Sequence, residues 1–475
     1  MTHFLGIDLG TSYFKVGLFD EAGRLKGLGR QFVRKTTDGI VCELPVDVFW
    51  KTIRDCVDEA IQMAAIQTNT IKSVSYSTQV NSFILLDEHD HPLTPLILWP
   101  DKRASGMALP AVDAAQLMKR TGLGRLPGDL FAVAKLNWFQ QHRPACWHNA
   151  ACILSISDFL TFSLTGKKAS DYSTASMSGL FDLTDNTWWA EQLERFGIRP
   201  SMLPSLQRTG VYVGATSANA VGLAGLPQGI SYSLGGLDHH IAAIGAGIPT
   251  NRHVCESTGT VLSCVDYAER FEPQQGVCVA PGLHAGHFFR MAYDENGASS
   301  LEWYQKNYAP DYSIQELLGM AETVAPGCEG LTARPCAGTF PGLSGFFVAS
   351  PADFGQHPSN DWSSNRHLKS AEPVCHHHGH YVRALLESTA RSLRQLVSTL
   401  KKDSPLPAIV SSGGGSRSAL WSKIKSETVK TSFLTPECTE LACMGAAMMG
   451  ALGIHSFGSY DEIVNEWVRT TNNQQ

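Results

Sequence analysis

The chain opens on an apolar run from Phe4 to Ile7, passes through Asp8-Leu9-Gly10-Thr11-Ser12, and turns apolar again at Lys15-Val16-Gly17-Leu18-Phe19 before Asp20-Glu21-Ala22-Gly23. That pattern predicts two antiparallel strands with a tight polar turn. Phe49, Ile53, Val57, Ile61 and Ala64 then recur at spacings of three and four, which predicts a helix over 48–65. Strand-like runs follow at 71–76 and 83–87, and a proline-punctuated segment ends in Trp99-Pro100-Asp101-Lys102-Arg103. The first half is therefore mixed α/β.

A second half begins after the glycine-rich segment Gly235 to Gly247, where Pro249, Asn251 and Arg252 break the pattern and His253-Val254-Cys255 starts a new strand. The halves are placed at 1–247 and 248–475. After that strand the chain repeats its opening, with the polar turn Glu256-Ser257-Thr258-Gly259-Thr260 and the apolar run Val261 to Val265. This weak internal repeat suggests two duplicated domains facing one another. The stretch from Ala352 to His378 lacks periodicity and is rich in Ser, Asn, His and Pro, so a surface excursion is expected. Val382, Leu385, Leu386, Leu393, Leu396, Val397 and Leu400 mark a long amphipathic helix closed by Lys401 and Lys402. Leu441 to Ile454 carries no charge but falls short of the ~20 residues a membrane helix needs, so a packed helix or helix pair is expected.

Composition narrows the classes. The chain has 475 residues, 43% apolar and 17% charged, a balance that excludes disorder and suits an ample core. With 38 Lys plus Arg against 44 Asp plus Glu the net charge is −6, which gives no electrostatic reason for nucleic acid or an anionic membrane as partner. The beginning MTHFLGIDLG lacks the basic and long apolar regions of a secretory signal, so a cytoplasmic protein is expected. The 12 cysteines include no CxxC pair and read as reduced, mostly buried thiols. His376, His377, His378 and His380 read as solvated, since no closed ligand set accompanies them.

Three glycine-rich loops each follow an apolar strand and pair backbone N–H groups with hydroxyls, the combination a polyphosphate needs. They are Gly10-Thr11-Ser12 with Lys15 beyond, Thr258-Gly259-Thr260, and Ser411-Ser412-Gly413-Gly414-Gly415-Ser416-Arg417-Ser418 leading into a helix over 419–429. Lys15 offers a charge to offset phosphate, and successive glycines let a flat ring or ribose lie on bare backbone. Two carboxylates join them: Asp8 at the end of the first strand and Asp238 within Gly235-Gly236-Leu237-Asp238-His239-His240. Such a pair suits phosphoryl transfer, one orienting a metal and one accepting the proton of an attacking hydroxyl. Taken singly, each loop also reads as an ordinary glycine turn and each Asp as a helix cap.

Together these blocks resemble the FGGY carbohydrate kinases. The resemblance rests on GIDLGTSYFKVGLFDEAG at 6–23, FAVAKLNWFQQHRP at 131–144, LSISDFLTFSLTG at 154–166, GLPQGISYSLGGLDHHIAAIGAG at 225–247 and SSGGGSRSALWSKIKSETV at 411–429. The segment VSYSTQVNSFILLDEHDHPLTPLILWPDKR at 74–103 is similar to that of the xylulose kinases within the family. The fold so implied is α/β, two actin-like ATPase domains of the ribonuclease H-like, actin, Hsp70 and hexokinase type, with an interdomain cleft.

The resemblance implies an ATP-dependent kinase acting on a primary hydroxyl of a ketose or related polyol. Asp238 would be the general base and a metal contact, and Asp8 would position Mg²⁺. Thr11, Ser12 and Lys15, with Gly259 and Thr260, would cradle the ATP phosphates; Gly414, Gly415 and Ser418 would line the adenosine site. Gln79, Val80, Asn81, Asp101 and Arg103 would contact the sugar, with a surface ion pair as the other reading of Arg103. Two segments depart from the xylulose kinase pattern. Gln79-Val80-Asn81 stands where a Gln-Met-His run is usual, which predicts different hydroxyl recognition, and Thr339-Phe340 stands where Glu-Arg is common. The partners implied are a small sugar but neither nucleic acid nor membrane, and a homodimer is compatible with the sequence. Competing readings are an actin-like nucleotide switch that phosphorylates nothing, and a catalytically weakened regulatory relative.

Overall fold

The computed structural model describes residues 2–333, 346–348, 376–401 and 408–472. Its site-bearing elements in the first half are β1 (His3–Leu9), β2 (Tyr13–Asp20), β3 (Leu25–Phe32), α1 (Val46–Ala64), β4 (Ile71–Thr78), α2 (Ala132–His142), β5 (Tyr212–Ala215), β6 (Ser231–Ser233) and α3 (Asp238–Gly245). They continue with β7 (Val254–Thr258), α4 (Ser299–Tyr308), α5 (His378–Lys401), β8 (Ile409–Ser412), α6 (Ala419–Val429), β9 (Phe433–Pro436) and α7 (Leu441–Gly453). The predicted hairpin, both long helices and the 419–429 helix are all present. The uncharged C-terminal stretch is one helix, α7. The Ala352 excursion up to residue 375 and the Thr339-Phe340 segment lie outside the described residues.

Two compact units are discontinuous in sequence. The first comprises Met1–His253, Val265–Met291 and Pro436–Thr470; the second comprises Val254–Cys264, Ala292–Thr435 and Thr471–Gln475. Among the described residues, the first unit holds a seven-stranded sheet in the order β5-β6-β4-β1-β2-β3, with Gly236–Leu237 also pairing with β4. β1 runs parallel to β4 and antiparallel to β2. Every residue of β1 is buried: α7 packs on the face that carries Gly6, where a Cβ would strike the Cys443 carbonyl oxygen, and Leu5, Ile7 and Leu9 join Phe49, Ile53 and Val57 of α1 in the core on the other. At the sheet edge, the outward N–H groups of Leu28 and Arg30 on β3 donate to Met63 Sδ at 3.4 Å and Glu59 Oε2 at 2.9 Å, side chains of α1 that block strand addition.

Helices α3 and α7 cross backbone to backbone. A Cβ at Gly445 would strike the Ile241 carbonyl oxygen, and one at Gly245 would strike that of Leu441, so both positions require glycine for the close approach. In the second unit β7 pairs in parallel with β8, Glu256 opposite Ser411 and Ser257 opposite Ser412, and β8 pairs in parallel with β9.

The first unit also buries two carboxylates away from the candidate site. Tyr76 Oη donates to Asp171 Oδ2 at 2.8 Å, and Asp158 Oδ2 accepts from Ser155 N at 2.9 Å in a capping box. Burial pushes Asp158 up to about 7 and Asp171 up to about 6. A carboxyl whose folded value lies above its unfolded value of about 4 contributes stability that is complete below pH ~4 and lost as pH rises through ~7. Asp158→Asn, which keeps an acceptor for Ser155 N, is therefore expected to melt ~1–3 °C higher relative to wild type at pH 8 than at pH 4. Calorimetry at the two pH values checks this; an equal offset at both would assign the burial penalty elsewhere.

Candidate active site

The register of β4 sets the two carboxylates. Asp8 lies opposite Ser77 on one side of β4, and Gly236 and Leu237 pair with Ser77 and Thr78 on the other, after which the chain enters α3 at Asp238. Both acids thus leave the carboxyl ends of strands parallel to β4, where open α/β sheets bind ligands. Asp8 is buried and accepts from Ser77 Oγ at 2.9 Å. Burial pushes its carboxyl up to about 6; Lys15 opposes the rise, and the negative charge of Asp238 adds to it, so the two acids sense one another.

Lys15 is the cross-strand partner of Asp8, and its ammonium donates to Glu440 Oε2 at 2.7 Å. Burial pulls against it, yet Asp8 and Glu440 hold it above the ordinary lysine value. Its charge already balances two acids of the first unit, an engagement the sequence did not signal.

Asp238 is the first residue of α3, and Leu237 occupies the cap position with no side-chain cap bond. The capping reading therefore does not describe Asp238. Among the described residues its Oδ1 accepts the neighbouring His239 N–H at 2.8 Å and lies 4.0 Å from His239 Nε2, its other oxygen bonds to none of them, and its side chain is 31% exposed. Behind it, Ser173 Oγ accepts from Leu237 N at 3.0 Å and bonds His240 Nδ1 at 2.8 Å. The His240 ring stacks on Phe289 with centroids 5.0 Å apart. Burial pushes this imidazole down to about 3, so it serves as a neutral strut.

The first loop is held by a ring of hydrogen bonds. Gln79 Nε2 donates to Gly10 O at 3.2 Å, and Ser82 Oγ donates to Gln79 Oε1 at 2.9 Å. Trp99 N donates to Ser82 Oγ and Trp99 Nε1 to Thr11 Oγ1, both at 2.8 Å. Ser12 accepts from Val33 N at its carbonyl. Gln79 is buried and spends its amide on this loop, while Val80 is half-buried beside it. Asn81 takes a positive φ of 62°, where Asn is favoured, and its Oδ1 accepts from Ala132 N at the start of α2.

Asp101 and Arg103 form a buried fork. Arg103 Nε donates to Asp101 Oδ1 at 2.7 Å and its Nη2 to Asp101 Oδ2 at 2.8 Å and Glu43 Oε1 at 2.5 Å. The guanidinium lies 5.2 Å from the ring centroids of both Trp138 and Phe139. Arg103 is 7% exposed, so the surface ion pair expected as its other reading gives way to an internal one. Burial works against the Asp101 carboxylate, but Arg103 and Cys42 N hold it below the usual range. Beneath this segment Lys135, fully buried on α2, donates to Trp99 O at 3.0 Å and Leu130 O at 2.9 Å. Burial pushes its ammonium down to about 7. A lysine amid Val133, Ala134 and Leu136 was the signal available for it in the sequence.

In the second unit the other two loops meet at Thr258. Gly259 O accepts from Ala298 N at 2.7 Å and Thr260 O from Ser299 Oγ at 2.9 Å, which seats that loop on the start of α4, with Thr260 exposed. Gly414 is exposed with open space where a Cβ would stand, whereas Gly415 is buried against Thr258 and Trp421. Ser418 caps α6, its Oγ accepting from Trp421 N at 3.2 Å. Of the histidines at 376–380, His377 is exposed as expected, whereas two others depart from the solvated reading. His378 Nδ1 lies 2.8 Å from Tyr304 Oη, and His380 is buried. Among the described residues no group of three or more His, Cys, Asp or Glu is arranged to hold a metal, the cysteines are free and mostly buried, and no helix is long and apolar enough to cross a membrane.

This architecture is that of the actin-like ATPases. The ligand-bound xylulose kinase from Lactobacillus acidophilus superposes with a TM-score of 0.81 at 19% identity, covering 99% of this chain and 93% of that one. Residues 3–245 match the N-terminal domain, and residues 343–454 the C-terminal domain, of the FGGY family of carbohydrate kinases. The chain belongs to that family and is an ATP-dependent sugar kinase. It is 26% identical to the xylulose kinase of Bacillus subtilis (strain 168) over 476 residues, 99% of this chain and 92% of the relative. It is also 26% identical to the gluconokinase of the same organism over 491 residues, covering 97% and 90%.

Proposed function

We propose that the chain transfers the γ-phosphoryl group of ATP to a primary hydroxyl of a ketose or related polyol, with Asp238 as general base. The observation that supports this best is the Asp238 oxygen that bonds to none of the described residues, at a helix start and within electrostatic reach of the buried Asp8. Phosphoryl transfer asks the protein mainly to position and to stabilise charge. Asp238 would take the hydroxyl proton; Ser173 and His240 fix the turn that aims it. Thr11 and Ser12 in the first unit, and Gly259, Thr260 and Gly414 in the second, are the proposed nucleotide contacts. Lys15 balances the acids, and Gly415 and Ser418 shape the third loop.

Asp8 and Asp238 fit Mg²⁺, because that ion is usually held by one or two carboxylates together with substrate phosphates and water, and an acid whose charge is opposed by another's gains from a cation. When bound it would neutralise charge on the transferred phosphate. Val80, Trp99 and Arg103 would face the sugar, with Gln79, Asn81, Asp101 and Lys135 holding that wall in shape.

Similarity to both a xylulose kinase and a gluconokinase brings ketoses and aldonates into one test. In a coupled assay of ADP release over ketopentoses, ketohexoses, tetritols, pentitols and aldonates, a ketose or polyol is expected to drive turnover of ~1–100 s⁻¹. Turnover driven by aldonates alone would overturn the substrate class. ATP hydrolysis indifferent to every sugar would favour the nucleotide switch.

A further inference from the structure

In the second unit, β7 leads into the second glycine loop and β8 into the third, and a closed set of buried polar groups ties them together. Lys425 on α6 and Glu256 on β7 are both fully buried. Lys425 Nζ donates to Glu256 Oε1 at 2.6 Å and to Thr258 Oγ1 at 2.7 Å. The Thr258 hydroxyl in turn donates to Glu256 Oε1. Ser411 Oγ on β8 donates to Glu256 Oε2 at 2.5 Å, and Ser412 Oγ donates to the Glu256 carbonyl at 2.9 Å. Both carboxylate oxygens of Glu256 are therefore used, and every group of the set belongs to one of the two loops, its strand, or the helix that follows.

The third loop closes on the same residue. A Cβ at Gly413 would come within 2.9 Å of the Thr258 carbonyl oxygen, and one at Gly415 within 2.7 Å of Thr258 Cγ2, so both glycines let that loop lie directly on Thr258. Gly414, between them, turns its bare face outward. Removing a full ion pair from water carries a desolvation cost of several kcal/mol per ion, and an apolar pair of similar volume is often at least as stable. Stability alone is thus a weak reason for charges here. What the charges add is direction: an apolar pair has no preferred angle, whereas this set admits one placement of Thr258 against Ser411.

We infer that Glu256 and Lys425, acting through Thr258 and Ser411, are positioning residues that set the separation between Gly259-Thr260 and Gly414 at the span a bound nucleotide requires. The inference rests on reading those loops as nucleotide contacts. None of the four side chains needs to touch the nucleotide. Their loss shifts loop placement, so nucleotide affinity changes while the sugar wall of the first unit keeps its geometry.

The test compares wild type with Glu256→Leu/Lys425→Met, which replaces the pair by apolar groups, and with Thr258→Val and Thr258→Ser. Each is measured for KM of ATP, KM of the best sugar substrate, affinity for ADP by calorimetry, and melting temperature. Gly414→Phe, which fills the outward face, serves as the control for the loop reading. The double variant and Thr258→Val are expected to raise KM for ATP and weaken ADP binding ~10-fold, with sugar KM within ~2-fold and Thr258→Ser close to wild type; 10-fold corresponds to ~1.4 kcal/mol. If the double variant fails to fold, the Thr258 pair decides. Wild-type ADP affinity in Thr258→Val together with loss in Gly414→Phe would overturn the positioning role alone. Wild-type affinity in Gly414→Phe would overturn the loop reading on which it rests.

Discussion

Asp238→Ala is expected to cut sugar-dependent phosphoryl transfer by ~10²–10⁴-fold, the usual worth of a positioned proton acceptor, while ADP affinity stays within ~2-fold. The separation follows from what the side chain does in the fold. It does not occupy the cap position, and among the described residues its contacts are to the adjacent His239, at the N–H and more distantly at Nε2, so removing it strips little from α3 beyond a favourable charge at the helix start, worth ~0.3–1 kcal/mol. Initial rates in a coupled assay, with a melting curve beside them, check both halves. Near wild-type turnover would remove Asp238 from the mechanism, and a collapse in melting temperature would show that its role is to hold the fold.

The second large effect is one of stability. Arg103→Ala is expected to destabilise the first unit by ~3–5 kcal/mol, because it leaves the fully buried Asp101 without its main partner. Among the described residues Asp101 then keeps bonds from Cys42 N at 2.6 Å and Arg103 N at 3.1 Å. The double variant Asp101→Asn/Arg103→Met should recover part of that loss, since the stranded charge rather than the missing contact dominates it. Chemical denaturation of the three proteins measures the recovery; an Arg103→Ala curve within ~1 kcal/mol of wild type would refute the buried-fork account.

Periodicity made the elements legible, and chemistry at strand ends made the loops legible. Apolar runs and helical spacing gave β1, β2 and α1, and an acid closing a strand drew attention to Asp8 before any fold was known. What stayed hidden were bonds between residues far apart in the chain. Nothing local marks Gln79 as the brace of Gly10, Glu440 as the partner of Lys15, or Ser173 as the support beneath Leu237, because each depends on strand register and helix placement. Buried lysines were the one class with a trace. Lys135 sits among Val133, Ala134 and Leu136 on its helix, and Lys425 lies one turn beyond Trp421 and one before Val429 on the same face.

Helix α7 belongs to the first unit, yet it is made near the end of a chain whose sheet begins at residue 3. During synthesis β1 and β4 emerge early but must wait for about 370 further residues before α7 covers them, so the first unit cannot close until most of the second has been made. A ribosome stalled after the third glycine loop would hold that sheet without its roof, leaving bare the small residues Gly6, Gly17, Ser73 and Ser75 that α7 later covers.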